Sequence, residues 1–255
     1  MKLVSRYKLG PLFTPPVVSR WEGPLATLMM PSTTGGANWQ GGSLDPETNY
    51  LYIYSSTQIS DIGLIESDGK RSDMRYVRGT ASNPAGPPRV LAPAGSAGAE
   101  AAPPITLQGL PLVKPPYGRI TAIDLNKGDI VWQIAHGETA DNIRNHPALK
   151  GLVIPRTGRI GRIGTLVTKS LVIAGEGGFF TTPSGQRGAM LRAYDKASGA
   201  EIGAVYLSAP QTGSPMTYML NGRQHLIVSI SGGNYSGELV AFKLPQEATT
   251  TAQLR

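Results

Sequence analysis

A turn recurs three times along the sequence, and it leaves few folds open. Ala122, Asp124, Gly128 and Trp132 have the spacing A-x-D-x-x-x-G-x-x-x-W. Ala193, Asp195 and Gly199 repeat its first half, with Gly203 where the tryptophan would stand. Ser43, Asp45 and Asn49 form a looser third copy, with Asn in place of the closing Gly. Each copy ends one strand and starts the next. The Asp carboxylate accepts hydrogen bonds from turn N–H groups, and Gly or Asn tolerates positive φ. The tryptophan is placed to pack between neighbouring sheets. Asp124, Gly128, Trp132, Asp195 and Gly199 therefore read as architecture, not chemistry.

The rest of the chain agrees with an antiparallel meander. Leu44–Tyr54, Arg119–Asp124, Asp129–Ile134, Met190–Tyr194, Ala204–Leu207, His225–Ser229 and Leu239–Leu244 read as short strands. Thr165–Ala174 reads as one or two more, broken near Lys169 and Ser170. Hairpin-sized gaps join them. Glycine (32) and proline (21) make up about a fifth of the 255 residues, which argues against long helices. The fold class is all-β, and repeated four-stranded units of this kind point to propeller blades. Residues 1–30 are irregular and proline-rich. Residues 82–116 read as a low-complexity loop or insertion, and residues 246–255 as a flexible tail, leaving 1–245 as the partial propeller.

Several function classes drop out. The net charge of +7 comes from scattered basic residues, and no nucleic-acid module accompanies it. The one basic cluster, Arg156, Arg159 and Arg162, reads as a solvated face. The chain has no cysteine, which excludes disulfides, thiolate zinc sites and c-type haem attachment within it. No apolar run reaches the length of a membrane helix, and the stretch from Met1 to Tyr7 lacks the features of a signal peptide. His136, His146 and His225 lack metal spacing and read as surface or satisfied core histidines. Glu176 reads as a turn-flanking carboxylate. The glycines near Gly175 are too few for a dinucleotide fingerprint, and no G-x-S-x-G elbow is present.

Four segments together resemble one family. Gly35, Gly36, Asn38 and Trp39, followed by Asp45 and Pro46, resemble the G-G-x-N-W segment of pyrroloquinoline quinone (PQQ)-dependent dehydrogenases. The unit ending at Trp132 is similar to that family's tryptophan-docking motif. Pro215, Thr217, Tyr218, Gly222 and Gln224 resemble its P-M/V-T-Y-x-x-x-G-x-Q hairpin, and Gly237–Pro245 its closing strand. Phe13–Pro16 and Pro116–Gly118 are similar to the membrane-bound glucose dehydrogenase branch.

The resemblance implies the C-terminal blades of an eight-bladed propeller. It implies a parent enzyme that oxidises a sugar or alcohol, with PQQ and Ca²⁺ as cofactors and a membrane quinone or cytochrome c as electron acceptor. It also implies a periplasmic location. Asn38 and Trp39 are expected to touch the cofactor, with Gly36 permitting close backbone approach and Thr212 lying near it. The alternatives for these residues are that Asn38 satisfies a turn and that Trp39 packs between blades. The family's catalytic Asp, its Lys or Arg and its Ca²⁺ ligands belong to segments that have no counterpart here, so no catalytic or metal residue is expected in this chain. A part-propeller of this kind is expected to be inactive and poorly soluble alone, because its blade faces and strand edges stand open. The alternative function is a non-catalytic propeller scaffold.

Overall fold

The computed structural model describes residues 4–70, 72–82, 89–90, 105–182 and 184–244. The expected tail at 246–255 lies outside them. The described residues are strands, turns and three helical turns, the α-helical one being Asp141–Arg144.

Three antiparallel sheets follow one another along the chain. The first takes Gly42–Asp45, Tyr50–Ser56, Gly118–Asp124 and Asp129–Ala135, each paired with the one before it. The second takes Leu166–Val167, Leu171–Gly175, Arg187–Asp195 and Glu201–Leu207. The third takes Met216–Leu220, Arg223–Gly232 and Tyr235–Lys243. Its first hairpin closes through Asn221 (φ 50°) and Gly222 (φ 74°). Two positive φ values in a two-residue loop match the right-handed twist of the flanking strands.

The three copies of the turn share one geometry. Asp45, Asp124 and Asp195 each accept a backbone N–H two residues on through their carboxylates. Their own carbonyls accept the N–H of Asn49, Gly128 and Gly199, at 2.8, 2.7 and 2.9 Å. Those closing residues have φ of 57°, 78° and 73°. The architectural reading of these residues stands.

The sheets stack face to face. Tyr52, Tyr54, Ile120 and Ala122 of the first sheet meet Val172, Ala174 and Tyr194 of the second, and Trp132 packs on both groups. Ala189, Leu191 and Leu207 of the second sheet meet Val228 and Ile230 of the third. Each fully buried aliphatic or aromatic side chain stabilises the stack by about 1.5–3 kcal/mol. Along one strand, alternate residues serve alternate faces, so the middle sheet buries both of its faces and is apolar on both. The far face of the third sheet carries Met216, Leu220 and Leu239, each at least half exposed.

Three expectations need correction. Residues 1–30 are not wholly irregular: Val17–Val18 pairs in parallel, and Thr27–Met29 antiparallel, with Ser60–Glu66. That strand and Tyr76–Thr80 form a further sheet inserted between the second and third strands of the first. The strand Leu44–Tyr54 is two strands, separated by the Asp45 turn. Of the stretch 82–116, residues 83–88 and 91–104 lie outside the described residues; within the rest, Thr106–Leu107 and Leu110–Pro111 pair as a small hairpin, and Leu112 and Val113 beyond it line a pocket.

Candidate functional site

Each sheet has two ends. The Asp-led turns lie at one in the first two sheets, and the Asn221–Gly222 turn does in the third. At the other lie the segments that lead into the first strand of each sheet: residues 35–41, 161–165 and 211–215. Backbone and side-chain hydrogen bonds tie these three segments into one surface. Ser214 Oγ donates to Gln40 O at 3.1 Å. Gly164 N donates to Gly213 O at 2.9 Å. Ser43 Oγ donates to Thr165 O at 2.5 Å, and Thr165 Oγ1 donates to Tyr52 O at 3.0 Å.

Gln211 holds the middle of this surface. It is buried, and its Oε1 accepts Gly175 N at 2.5 Å. Its Nε2 donates to Gly164 O and Gly213 O, both at 2.8 Å. All of its amide groups are engaged, so it acts as a clamp between loops. Gly175 has no space for a side chain, since a Cβ there would stand 2.7 Å from Gln211.

The expected site residues fall on this surface. Asn38 Oδ1 accepts Trp39 N at 2.8 Å, so the amide does fix its own turn. Its Nδ2 has no hydrogen bond among the described residues, which leaves a donor. Trp39 is 97% exposed. Among the described residues it packs against no neighbouring sheet; Trp132 makes that contact between the first two sheets. Gly36 O accepts Ser56 N at 2.9 Å, and a Cβ at Gly36 would stand 3.1 Å from Pro31 and 3.2 Å from Ser56 O. The position is close-packed, and Gly35 beside it turns with φ of 82°. Thr212 is exposed, with its N donating to Ser229 O and its carbonyl accepting the Ser229 hydroxyl. The Gln40–Ser214 bond brings the Asn38–Trp39 loop and the Thr212 loop together, although 174 residues separate the two partners.

The three arginines do different work, which corrects the reading of a single solvated face. Arg162 is exposed and has no ion pair among the described residues; it adjoins Ile163, which bridges to Gly213. Arg156 pairs with Glu138 at 3.1 Å and Glu201 at 2.5 Å. Arg159 is wedged inward. Its Nη2 donates to Phe179 O, its guanidinium lies over the Phe180 ring, and its Nη1 is buried without a partner among the described residues. Burial pulls its pKa down, and nearby Glu176 partly restores it. Arg159 also lines a pocket of about 250 Å³ with Thr57, Tyr117, Ile143, Ile160 and Gly178.

Glu176 is not a turn-flanking carboxylate. It is fully buried, with Oε1 accepting Arg192 Nε at 2.6 Å and Glu138 N at 3.1 Å. Burial raises its pKa, against the pull of Arg192. Arg192 also reaches Glu201 and Glu138, at 2.8 and 2.9 Å. This network fastens the first sheet to the second. His136 beside it is a satisfied core histidine. Its Nε2 faces Gly175 O at 2.9 Å, and a carbonyl only accepts, so Nε2 carries the proton. Nδ1 then accepts the Tyr194 hydroxyl at 2.8 Å. Burial lowers the His136 pKa to about 4.

Among the described residues, no group of three or more His, Cys, Asp or Glu side chains is placed to hold a metal. No described helix is long and apolar enough to cross a membrane.

The family follows from the sequence over the same residues. Residues 1–226 match the model of the PQQ-type glucose/ethanol/alcohol dehydrogenase β-propeller domain. The chain belongs to this family. It is 26% identical over 238 residues to a probable quinate dehydrogenase (quinone) of Xanthomonas campestris pv. juglandis, covering 86% of this chain and 27% of that protein. It is 26% identical over 246 residues to quinoprotein glucose dehydrogenase A of Acinetobacter calcoaceticus, covering 94% of this chain and 28% of that protein. The glycerol dehydrogenase large subunit of Gluconobacter thailandicus is 27% identical over 253 residues, covering 91% of this chain and 31% of that protein. The chain thus spans 27–31% of the length of these three relatives. The three stacked sheets are blades of a PQQ-type propeller, and the looped surface is one end of those blades.

Proposed function

We propose that the complete protein is a PQQ-dependent dehydrogenase that oxidises a sugar or alcohol and delivers the electrons to a membrane quinone or cytochrome c in the periplasm. In this reading the present chain supplies the last blades of an eight-bladed propeller and one edge of the cofactor site. The observation that carries it is the meeting of the Asn38–Trp39 and Thr212 loops at one end of the blades, with Trp39 almost wholly exposed there.

The donor set fits the edge of a planar, multiply anionic ring system. Trp39 offers a flat apolar face and an indole N–H. Asn38 Nδ2 offers a donor held by its turn. Gly36 keeps the backbone near, because any side chain there meets Pro31 and Ser56. The Thr212 hydroxyl and the Arg162 guanidinium stand on the same surface and suit carboxylates. When bound, PQQ is the two-electron oxidant of the substrate carbinol. The residues of this chain would bind and orient it. The described carboxylates do not form a Ca²⁺ cage.

The test uses the complete protein with Trp39→Ala and Asn38→Ala. PQQ affinity is read by titration and turnover by dye-linked oxidation. Loss of one good ring or donor contact weakens PQQ by about tenfold or more. Unchanged affinity and unchanged rate in both variants would remove this site assignment.

A further inference from the structure

The two Asp-led hairpins with long outer strands match residue for residue. Ala122 pairs with Trp132 in the first sheet, and Ala193 pairs with Gly203 in the second. Each pairing is followed at once by a register shift, between Ala122 and Ile123 and between Ala193 and Tyr194. Trp132 and Gly203 thus occupy one position in two copies of one unit. Each faces the next sheet: Trp132 toward the second, Gly203 toward the third.

What fills that position differs. Trp132 sits 5.7 Å from Tyr52, donates its Nε1 to Lys196 O at 3.1 Å and covers Gly199. At Gly203 a Cβ would meet nothing within 4 Å. A cleft of about 770 Å³ opens there between the second and third sheets. Its walls are apolar, built from Ile173, Leu191, Leu226 and Phe242, while Lys169 and Lys243 line it as cations. Both lysines are exposed, and neither forms an ion pair among the described residues.

We propose that this cleft binds a small planar aromatic anion of the arylcarboxylate or arylsulfonate class. The ring takes the place that an indole fills at the neighbouring boundary, and the acid group lies toward Lys169 and Lys243. Apolar walls stabilise the ring by removing its faces from water, and the two ammonium groups select an anion over a neutral ring. The site is separate from the loop surface at the end of the blades, and it does not depend on PQQ.

The experiment titrates the complete protein with 8-anilinonaphthalene-1-sulfonate by fluorescence, and with indole-3-carboxylate and neutral indole by calorimetry. Saturable binding of both anions at one site is expected. Gly203→Trp should retain or raise the melting temperature and weaken the anions by about tenfold or more, because the new indole occupies the cleft. Should that variant fail to fold, Gly203→Leu offers a smaller plug with the same expectation. Lys169→Glu with Lys243→Glu should weaken the two anions and spare neutral indole. Unchanged anion binding in a folded Gly203 variant overturns the proposal, as does the lack of saturable binding in the unmodified chain. A dimer that dissociates on plugging the cleft would assign it to a second copy of the chain, and equally overturns the small-ligand reading.

Discussion

Trp132 Nε1 and Tyr52 Oη both donate to one acceptor, the carbonyl of Lys196, each at 3.1 Å. Trp132 and Tyr52 belong to the first blade, and Lys196 sits inside the Asp195 turn of the second. The Lys196 side chain returns the contact, reaching Asp45 at 2.8 Å and Glu47 at 3.1 Å. All three copies of the turn unit thus meet at one residue. Trp132→Ala removes a half-buried ring and leaves a cavity between the blades. It should lower stability by about 3 kcal/mol. Trp132→Phe keeps most of the ring contact and loses the hydrogen bond, for about 1 kcal/mol. Thermal or urea unfolding of both variants checks the order.

Gly199 is constrained twice over. Its φ is 73°, and a Cβ would stand 2.9 Å from Trp132 Cδ2 and Cε3. Gly128 has φ of 78° but meets nothing within 4 Å. Gly128→Ala should therefore cost only the backbone strain, about 1 kcal/mol. Gly199→Ala should cost clearly more, because the docked indole must also shift. Equal losses in the two variants would mean that Trp132 does not dock here as described.

His136 makes the stack sensitive to acid. Its pKa is near 4 in the fold and 6.5 as the ordinary value, because burial disfavours the imidazolium. Between those values the unfolded chain binds a proton that the folded chain does not. Stability from this group is therefore complete above pH 6.5 and is lost as the pH falls toward 4. From pH 7 to pH 5 the loss is about 2 kcal/mol. Glu176, with a raised pKa, acts in the opposite sense as the pH rises above its ordinary value. The comparison must therefore be made against a His136 variant that keeps Glu176. The stability gap between the unmodified chain and His136→Asn should narrow by that amount over the same range.

Glu176 and Arg192 share a bond of 2.6 Å in a buried setting. Glu176→Gln keeps the shape and removes the charge. Arg192 retains Glu138 and Glu201, so it is not left unpaired. The expected cost is about 1–3 kcal/mol rather than the larger loss of an isolated buried pair. A neutral effect in denaturant unfolding would mean that Arg192 is held by its two outer carboxylates alone.

How much of this was legible in the sequence depends on the range of the interaction involved. The Asp124 and Asp195 turns were readable, because an Asx turn closed by a positive-φ glycine is a local event within five residues. Trp132 as an inter-sheet contact followed from its place in the repeat. The strand Ser60–Glu66 was not readable: only two of its residues are buried and its partners lie on either side in sequence, at Thr27–Met29 and Tyr76–Thr80. The roles of Glu176, His136 and Gln211 were hidden for a related reason. Each is a polar group made tolerable inside the protein by partners that the chain brings in from 15 to 60 residues away. Arg156, Arg159 and Arg162 look alike in sequence, yet depth sets Arg159 apart as a wedge, and the neighbouring Glu138 and Glu201 set the exposed Arg156 apart from Arg162, which has no ion pair among the described residues. At the loop surface, Asn38 and Trp39 stood out as a segment, but the bond from Ser214 that joins them to the Thr212 loop did not.

Trp39 and Trp132 offer the sharpest contrast for a final test. Trp39 is 97% exposed and makes no side-chain hydrogen bond among the described residues. A side chain held that far into water contributes little to the fold, so Trp39→Ala should change stability by no more than about 0.5 kcal/mol. Its exposure is costly to solubility and has no packing return, which is the physical reason to look for a ligand that covers it. In the complete protein the same substitution should weaken PQQ binding while leaving the unfolding transition in place. Trp132→Ala should do the reverse at first approach, lowering the transition while the loop surface keeps its donors. If Trp39→Ala instead destabilises the protein as much as Trp132→Ala does, Trp39 is packed in the complete propeller, and its assignment to the cofactor edge fails.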